Sequence, residues 1–327
     1  MTAARQIGAL PALGLWAILT LAGALFANWY GYGGRGFAAL LSAGAFFFLV
    51  MLLFAARGVP ESFSAALGAG SGFLLGVIVY FAYIVYAVGS GSFTYGRAGG
   101  IAAFVFVPLS LAASAERASP GAWQDYLTLA MIWVAVKFGP THWAWPYPGG
   151  HLAYVYTVLL ALNIAIAAFL LIRRVDKIGY SIAWGPRWAF FVLASFLVFA
   201  AIAIPLARAI HFVTFDPLWY KWPTWPFTFL TILLFTAWPE EFLFRGLLQN
   251  FLQRSTKSDL AGWWTASVLF GFSHITNLGF PNWRYVLLAS IAGLFYGWTW
   301  RKTGSIFASA LVHAGVDATW HFFFRTL

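Results

Sequence analysis

The sequence predicts an all-α polytopic membrane protein, a bundle of about 8–11 transmembrane helices, on three observations. Of 327 residues, 62% are hydrophobic and 9% are charged, whereas a soluble domain usually carries roughly 25% charged residues. The apolar residues fall into runs of the roughly 20 residues that cross a bilayer as helix. Aromatic residues gather where such runs end, as in Trp219-Tyr220-Lys221-Trp222-Pro223-Thr224-Trp225, which suits an interfacial belt.

The elements follow in order as apolar runs at 7–29, 36–56, 65–88, 100–114, 121–137, 152–172, 188–210, 226–252, 261–277, 284–300 and 304–324. The first follows Arg5 and ends in Ala22-Gly23-Ala24-Leu25-Phe26-Ala27, which resembles a signal-peptide cleavage site; we read it as an uncleaved first span. Gly68, Gly72 and Gly76 recur every four residues, a spacing that permits close helix contact in lipid. The fourth and fifth runs are short and read either as a re-entrant pair or as a misdivided region. The Gly- and Pro-rich stretch from Gly139 to Gly150 is expected at the outer interface. Residues 1–180 are read as N-terminal transmembrane helices of unassigned role, and residues 181–327 as the part that carries the chemistry.

A net charge of +10 is compatible with nucleic-acid binding, but the 19 Lys and Arg are scattered singly or in pairs rather than gathered on one face. Topology explains them better. Arg5, Arg57, Arg117, Arg173, Arg174, Lys177, Arg187, Arg254, Lys257, Arg301 and Lys302 fall on one side of the alternating spans. Arg35, Arg97, Lys137, Arg208, Lys221, Arg284 and Arg325 fall on the other. The richer side, which includes the N-terminus, is therefore expected in the cytoplasm. The absence of Cys excludes disulfides, thiolate metal sites and a Cys nucleophile.

Of nine acidic residues, Glu61, Glu116, Asp125, Asp176, Asp216 and Asp259 fall in loops or near segment ends. Glu240, Glu241 and Asp317 instead interrupt apolar spans, as do His274 and His313. Ionisable groups at bilayer depth are costly and are functional candidates by default. On a helix, Glu241 and Arg245 form a same-face pair with the acid N-terminal, the favourable order. Glu240 points about 100° away, toward a polar cavity where it suits a general base. Pro239-Glu240-Glu241 could simply start a helix, but the apolar run before it argues for a kinked or broken membrane helix lining a cavity. Phe270 and His274, and His313 and Asp317, each share a helix face. A lone intramembrane His is as readily a helix-to-helix hydrogen bond as a catalyst. His321 extends the His313–Asp317 stripe but is expected at the interface; His142, His151 and His211 receive no role, and Asn250 and Asn277 a structural one.

Glu240-Glu241-x-x-x-Arg245, Phe270-x-x-x-His274 and His313-x-x-x-Asp317 together resemble, in order and helical placement, the three motifs of the CPBP intramembrane proteases. These are the CAAX proteases and bacteriocin-processing enzymes, also called the Abi family. The resemblance implies a conical catalytic cavity in the C-terminal half and a CPBP-type catalytic core at 181–327. It implies that Glu240 and His274 activate a water that attacks a peptide carbonyl, while His313 and residue 317 stabilise the oxyanion, with Glu241 and Arg245 supporting. An ionised Asp317 accepts hydrogen bonds and would repel an oxyanion, so it is read as protonated, as orienting His313, or as a metal ligand. Glu240, His274, His313 and Asp317 form a plausible N/O ligand set for zinc. We favour metal-independent glutamate catalysis without a cofactor, since no His-Glu-x-x-His is present. The expected partners are a protein or peptide substrate with a membrane-associated tail and the lipid bilayer, in a bacterial inner (plasma) membrane. The competing readings are a proton- or ion-coupled transporter and a non-catalytic scaffold or immunity protein of the same fold.

Overall fold

A computed structural model describes residues 5–139 and 141–327. Twelve helices follow one another among these residues. They are α1 Ala9–Trp29, α2 Gly34–Phe54, α3 Val59–Leu67, α4 Ser71–Gly89, α5 Tyr95–Ser114, α6 Trp123–Phe138 and α7 Ala153–Ile172. After them come α8 Pro186–Ala209, α9 Trp219–Thr256, α10 Asp259–Phe272, α11 Trp283–Thr303 and α12 Ile306–Phe323. Seven of these, α1, α2, α4, α5, α7, α8 and α9, are long and apolar enough to cross a membrane. The protein is therefore an all-α multi-pass membrane protein. The chain forms two compact units, Gln6–Asp176 and Lys177–Leu327, the latter together with Arg5.

In the N-terminal unit the run at 65–88 is two elements. Gly68, at φ +63°, takes a left-handed turn between α3 and α4 and touches nothing, so it is a turn glycine rather than a contact glycine. Gly72 and Gly76 do permit close approach: a Cβ at Gly72 would lie 2.9 Å from the Ala167 carbonyl, and one at Gly76 2.5 Å from Leu109. α5 and α6 are continuous helices of 20 and 16 residues, of which α5 is among those long and apolar enough to span. α5 begins earlier than its hydropathy suggests because Thr94 caps it, accepting from the Arg97 N–H at 3.2 Å. Pro140 of the Gly139–Gly150 stretch lies outside the described residues. From that stretch Trp145 turns inward and is fully buried among Phe47, Tyr83, Tyr86 and Tyr156.

Two charges assigned to loops are also buried. Arg173 forms a two-point ion pair with Asp125, Nε to Oδ1 at 2.6 Å and Nη2 to Oδ2 at 2.9 Å. Its other donors meet the carbonyls of Ala115, Ala118 and Ser119. Asp125 in turn accepts the N–H groups of Gly121 and Ala122. This closed set ties the α5–α6 turn to the end of α7.

In the C-terminal unit, three helices that build the site begin with a side-chain cap, which fixes where each first turn starts. Ser258 accepts from Ala261 N–H, Asn282 from Tyr285 N–H and Ser305 from Ala308 N–H. α10 and α11 approach closely through Gly271 and Gly293; a Cβ at Gly271 would overlap Ser290 Oγ and lie 2.5 Å from the Val286 carbonyl. α9 and α12 run antiparallel. At one end the Leu218 N–H donates to the Phe322 carbonyl at 2.8 Å, and β1 Val213–Phe215 pairs antiparallel with β2 Phe324–Thr326, Val213 opposite Thr326. At the other end the Ile306 N–H donates to Gly179 C=O and the Trp300 indole to Ile178 C=O.

Candidate active site

The helix α9 is continuous through Pro239, so the expected kink takes another form. Two stretches of wider π-helical turn, Leu233–Ala237 and Phe242–Gln249, flank Trp238–Glu241. Proline has no N–H to give and crowds the preceding turn; widening the helix absorbs both defects without breaking it, and such π-turns gather at functional sites. Pro239 therefore does not start a helix, and Glu240 and Glu241 lie mid-span.

Glu241 and Arg245 pair as expected, Oε2 to Nε at 3.2 Å with both side chains fully buried. Neutralisation is not the whole role of Glu241. Its other oxygen, Oε1, lies 3.0 Å from His313 Nδ1. The Ser309 hydroxyl sits 2.6 Å from Oε2 and 2.8 Å from the Tyr296 carbonyl, linking Glu241 to α11. A carboxylate only accepts, so His313 Nδ1 is the donor. The Tyr296 ring stacks on the His313 ring at 4.6 Å and 15°, and Phe270 meets it edge-on at 5.7 Å. The imidazole is held on both faces and at one nitrogen.

Its second nitrogen, Nε2, faces two carboxylates, Asp317 Oδ2 at 3.5 Å and Glu240 Oε2 at 3.9 Å. These are more open than the rest: the Glu240 side chain is 28% exposed and Asp317 40%, against 4% for His313. The Arg245 guanidinium packs over the Phe270 ring at 4.6 Å, sealing the site below by cation–π contact.

His274 was expected inside a span, but α10 ends at Phe272 and His274 sits in the following turn. Its Nδ1 and the Ser273 hydroxyl both reach the Phe270 carbonyl, at 2.9 and 2.6 Å. These side-chain bonds take the place of the next helical turn. A carbonyl only accepts, so Nδ1 carries a proton. The ring lies 4.8 Å from Phe270 and 5.0 Å from Tyr285. Phe270 thus touches both histidines, and Tyr285 is within electrostatic reach of Asp317 and Glu240 while its hydroxyl bonds Asn277.

His313 therefore meets Glu240, Glu241 and Asp317 directly, whereas His274 joins this group through the rings of Phe270 and Tyr285. Tyr296, Tyr285 and Ser309 belong to the same cluster and were not singled out in the sequence; only Ser309, one helical turn before His313, had a spacing that could have found it. His321 is exposed at the end of α12, and Asn250 accepts from Arg254 Nε at 2.7 Å, a local structural bond. Zinc requires ligand atoms at about 2.0–2.3 Å from one point. Among the described residues no group of three His, Asp or Glu side chains is placed to hold a metal ion. An apolar pocket of about 410 Å³, lined by Trp219, Trp222, Trp225 and Phe322 among others, contains none of the site's carboxylates or histidines and receives no role.

Neither the curated proteins nor the solved structures contain a match to the chain. The family described as Type II CAAX prenyl endopeptidase Rce1-like matches residues 221–319, a span that includes Glu240, Glu241, Arg245, His274, His313 and Asp317. The chain carries a Rce1-like type II CAAX prenyl endopeptidase domain, consistent with the CPBP family of CAAX proteases.

Proposed function

We propose that the chain is an intramembrane endopeptidase that cleaves a membrane-associated peptide or a C-terminal protein tail with water activated by Glu240 and His274. One observation carries this reading: His313 Nε2 lies against Asp317 and Glu240 at 3.5 and 3.9 Å, on the open edge of a polar cluster whose deeper members are sealed. Such an arrangement joins a base that water can reach to a donor held rigid from behind.

In the reaction Glu240 takes a proton from water while His274 Nε2 accepts the water's second hydrogen bond, and the oxygen adds to the scissile carbonyl. His313, protonated, donates from Nε2 to the oxyanion and from Nδ1 to Glu241, which fixes its direction before the charge develops. Collapse of the adduct expels the amine, which takes the proton from Glu240. Asp317 orients His313 and balances its charge; the carboxylate is not itself an oxyanion donor. No step passes through a metal.

The test is cleavage of membrane-anchored candidate tails by the purified protein in lipid nanodiscs, with Glu240→Gln and His274→Ala beside wild type and with metal analysis of each sample. Wild-type cleavage that both variants lose supports the reading. Variants that cleave as fast as wild type would refute the mechanism, and activity lost to a chelator and restored by zinc would refute its metal-free form. A Glu240-dependent proton or ion flux in proteoliposomes without cleavage would favour transport instead.

A further inference from the structure

Within the cluster, exposure falls in one direction. Along α9, exposure falls from Glu240, 28% exposed, to Glu241, Arg245 and Gln249, all fully buried. Along the antiparallel α12 it falls from Asp317 through His313 to Ser309, also fully buried. Both gradients descend in the same direction. The mouth lies toward the start of α9 and the end of α12, where the β1–β2 pair and the turn 273–282 also sit. The closed floor lies toward the α9–α10 and α11–α12 turns.

The two ends differ in charge. At the floor are Lys177, Arg187, Arg254, Lys257, Arg301 and Lys302. Contacts within the unit agree with this grouping, since Ile178 and Gly179 bond Trp300 and Ile306, and Arg301 lies over the Trp263 ring at 4.9 Å. At the mouth are Arg208, Lys221, Arg284 and Arg325. Two of these are held by the protein: Arg284 Nη1 donates to the His211 carbonyl at 2.7 Å, and Arg325 pairs with Asp216 at 3.6 Å. Six basic residues against four in short connections orient the floor to the cytoplasm. Exposed Trp219, Tyr220, Trp222, Leu278, Phe280 and Trp283 ring the mouth end, the side-chain chemistry of a headgroup boundary.

We propose that the catalytic mouth opens at the extracytoplasmic face of the membrane, so that the substrate is the membrane-anchored tail of a translocated protein rather than a tail presented from the cytoplasm. The substrate clause rests on the endopeptidase reading; the orientation does not. Because the chain has no Cys, single cysteines report cleanly. Leu278→Cys and Thr276→Cys mark the mouth and Thr256→Cys the floor, none of them in the catalytic cluster. With a membrane-impermeant maleimide, the mouth cysteines label in intact cells, and Thr256→Cys labels only after permeabilisation. The decision rests on whichever mouth cysteine labels in permeabilised cells. Protection of that cysteine in intact cells, or labelling of Thr256→Cys there, overturns the orientation. In a second arm one candidate tail is fused to a translocated and to a retained carrier, and only the translocated fusion is cut. Cleavage of the retained fusion overturns the substrate side. Correct labelling with no Glu240-dependent cleavage of either fusion removes the enzyme reading and leaves the orientation standing.

Discussion

Each unit buries an Arg–carboxylate pair, and the two are built to opposite ends. Around Asp125 and Arg173 the polar groups are closely matched: two bonds join the pair, three carbonyls take the remaining guanidinium hydrogens and two N–H groups cap the carboxylate. Around Glu241 and Arg245 the guanidinium rests on aromatic rings, one contact at 3.2 Å joins the pair, and the carboxylate is shared with His313 and Ser309. The saturated pair ties a turn to a helix end. The other is the back wall of a cluster whose front, Glu240 and Asp317, is part-exposed. Burial of charge alone does not mark chemistry; a buried charge that holds a half-exposed one does.

Substitutions can break this contrast, and the largest effect is expected at the exposed front. Glu240→Gln keeps the shape and removes the base, so kcat should fall by about 10³-fold or more, within the ~10²–10⁴ typical of general-base loss; the thermal midpoint should stay near wild type. Asp125→Ala should do the reverse. It leaves Arg173 charged and buried without its partner, a cost of about 3–5 kcal/mol, read as a lowered midpoint with kcat per folded molecule unchanged. A large kcat loss in that variant would erase the distinction between the two pairs.

Smaller effects probe how the back wall acts. Glu241→Gln weakens the hold on His313 Nδ1 and should lower kcat per folded molecule by about 10²-fold, roughly the ~3 kcal/mol of a charge-assisted bond; it also leaves Arg245 charged and buried without its carboxylate, so the midpoint should fall as in Asp125→Ala. Ser309→Ala removes one anchor of Glu241; kcat should fall about 5- to 10-fold, in line with ~1–1.5 kcal/mol for one hydrogen bond. Ser309→Thr should recover most of that loss, and failure of the hydroxyl to rescue would assign the serine to packing.

Much of this was legible because helical spacing turns sequence distance into direction. Glu241 and Arg245, and His313 and Asp317, met as their four-residue spacing requires. What was hidden depends on contacts between helices. Nothing along the chain announces that Tyr296 stacks on His313 or that Ser309 ties Glu241 to α11. Asp125 and Arg173 read as loop charges because hydropathy sees segment ends, not the turn that folds back over them. The end of α10 was misjudged for a related reason. Ile275 and its neighbours prolong the apolar signal, whereas Ser273 and His274 stop the helix by bonding the Phe270 carbonyl. Pro239 announced an irregular backbone; that the irregularity is π-helical and unbroken depends on the packing around it.

The central claim, that an exposed carboxylate held against a rigid histidine hydrolyses peptides, is tested most directly by cleavage of a lipid-anchored tail by purified wild type and Glu240→Gln in nanodiscs. The account predicts a defined cut by wild type and a rate at least about 10³-fold lower in the variant, both folded to the same midpoint. Equal rates in the two proteins would contradict it.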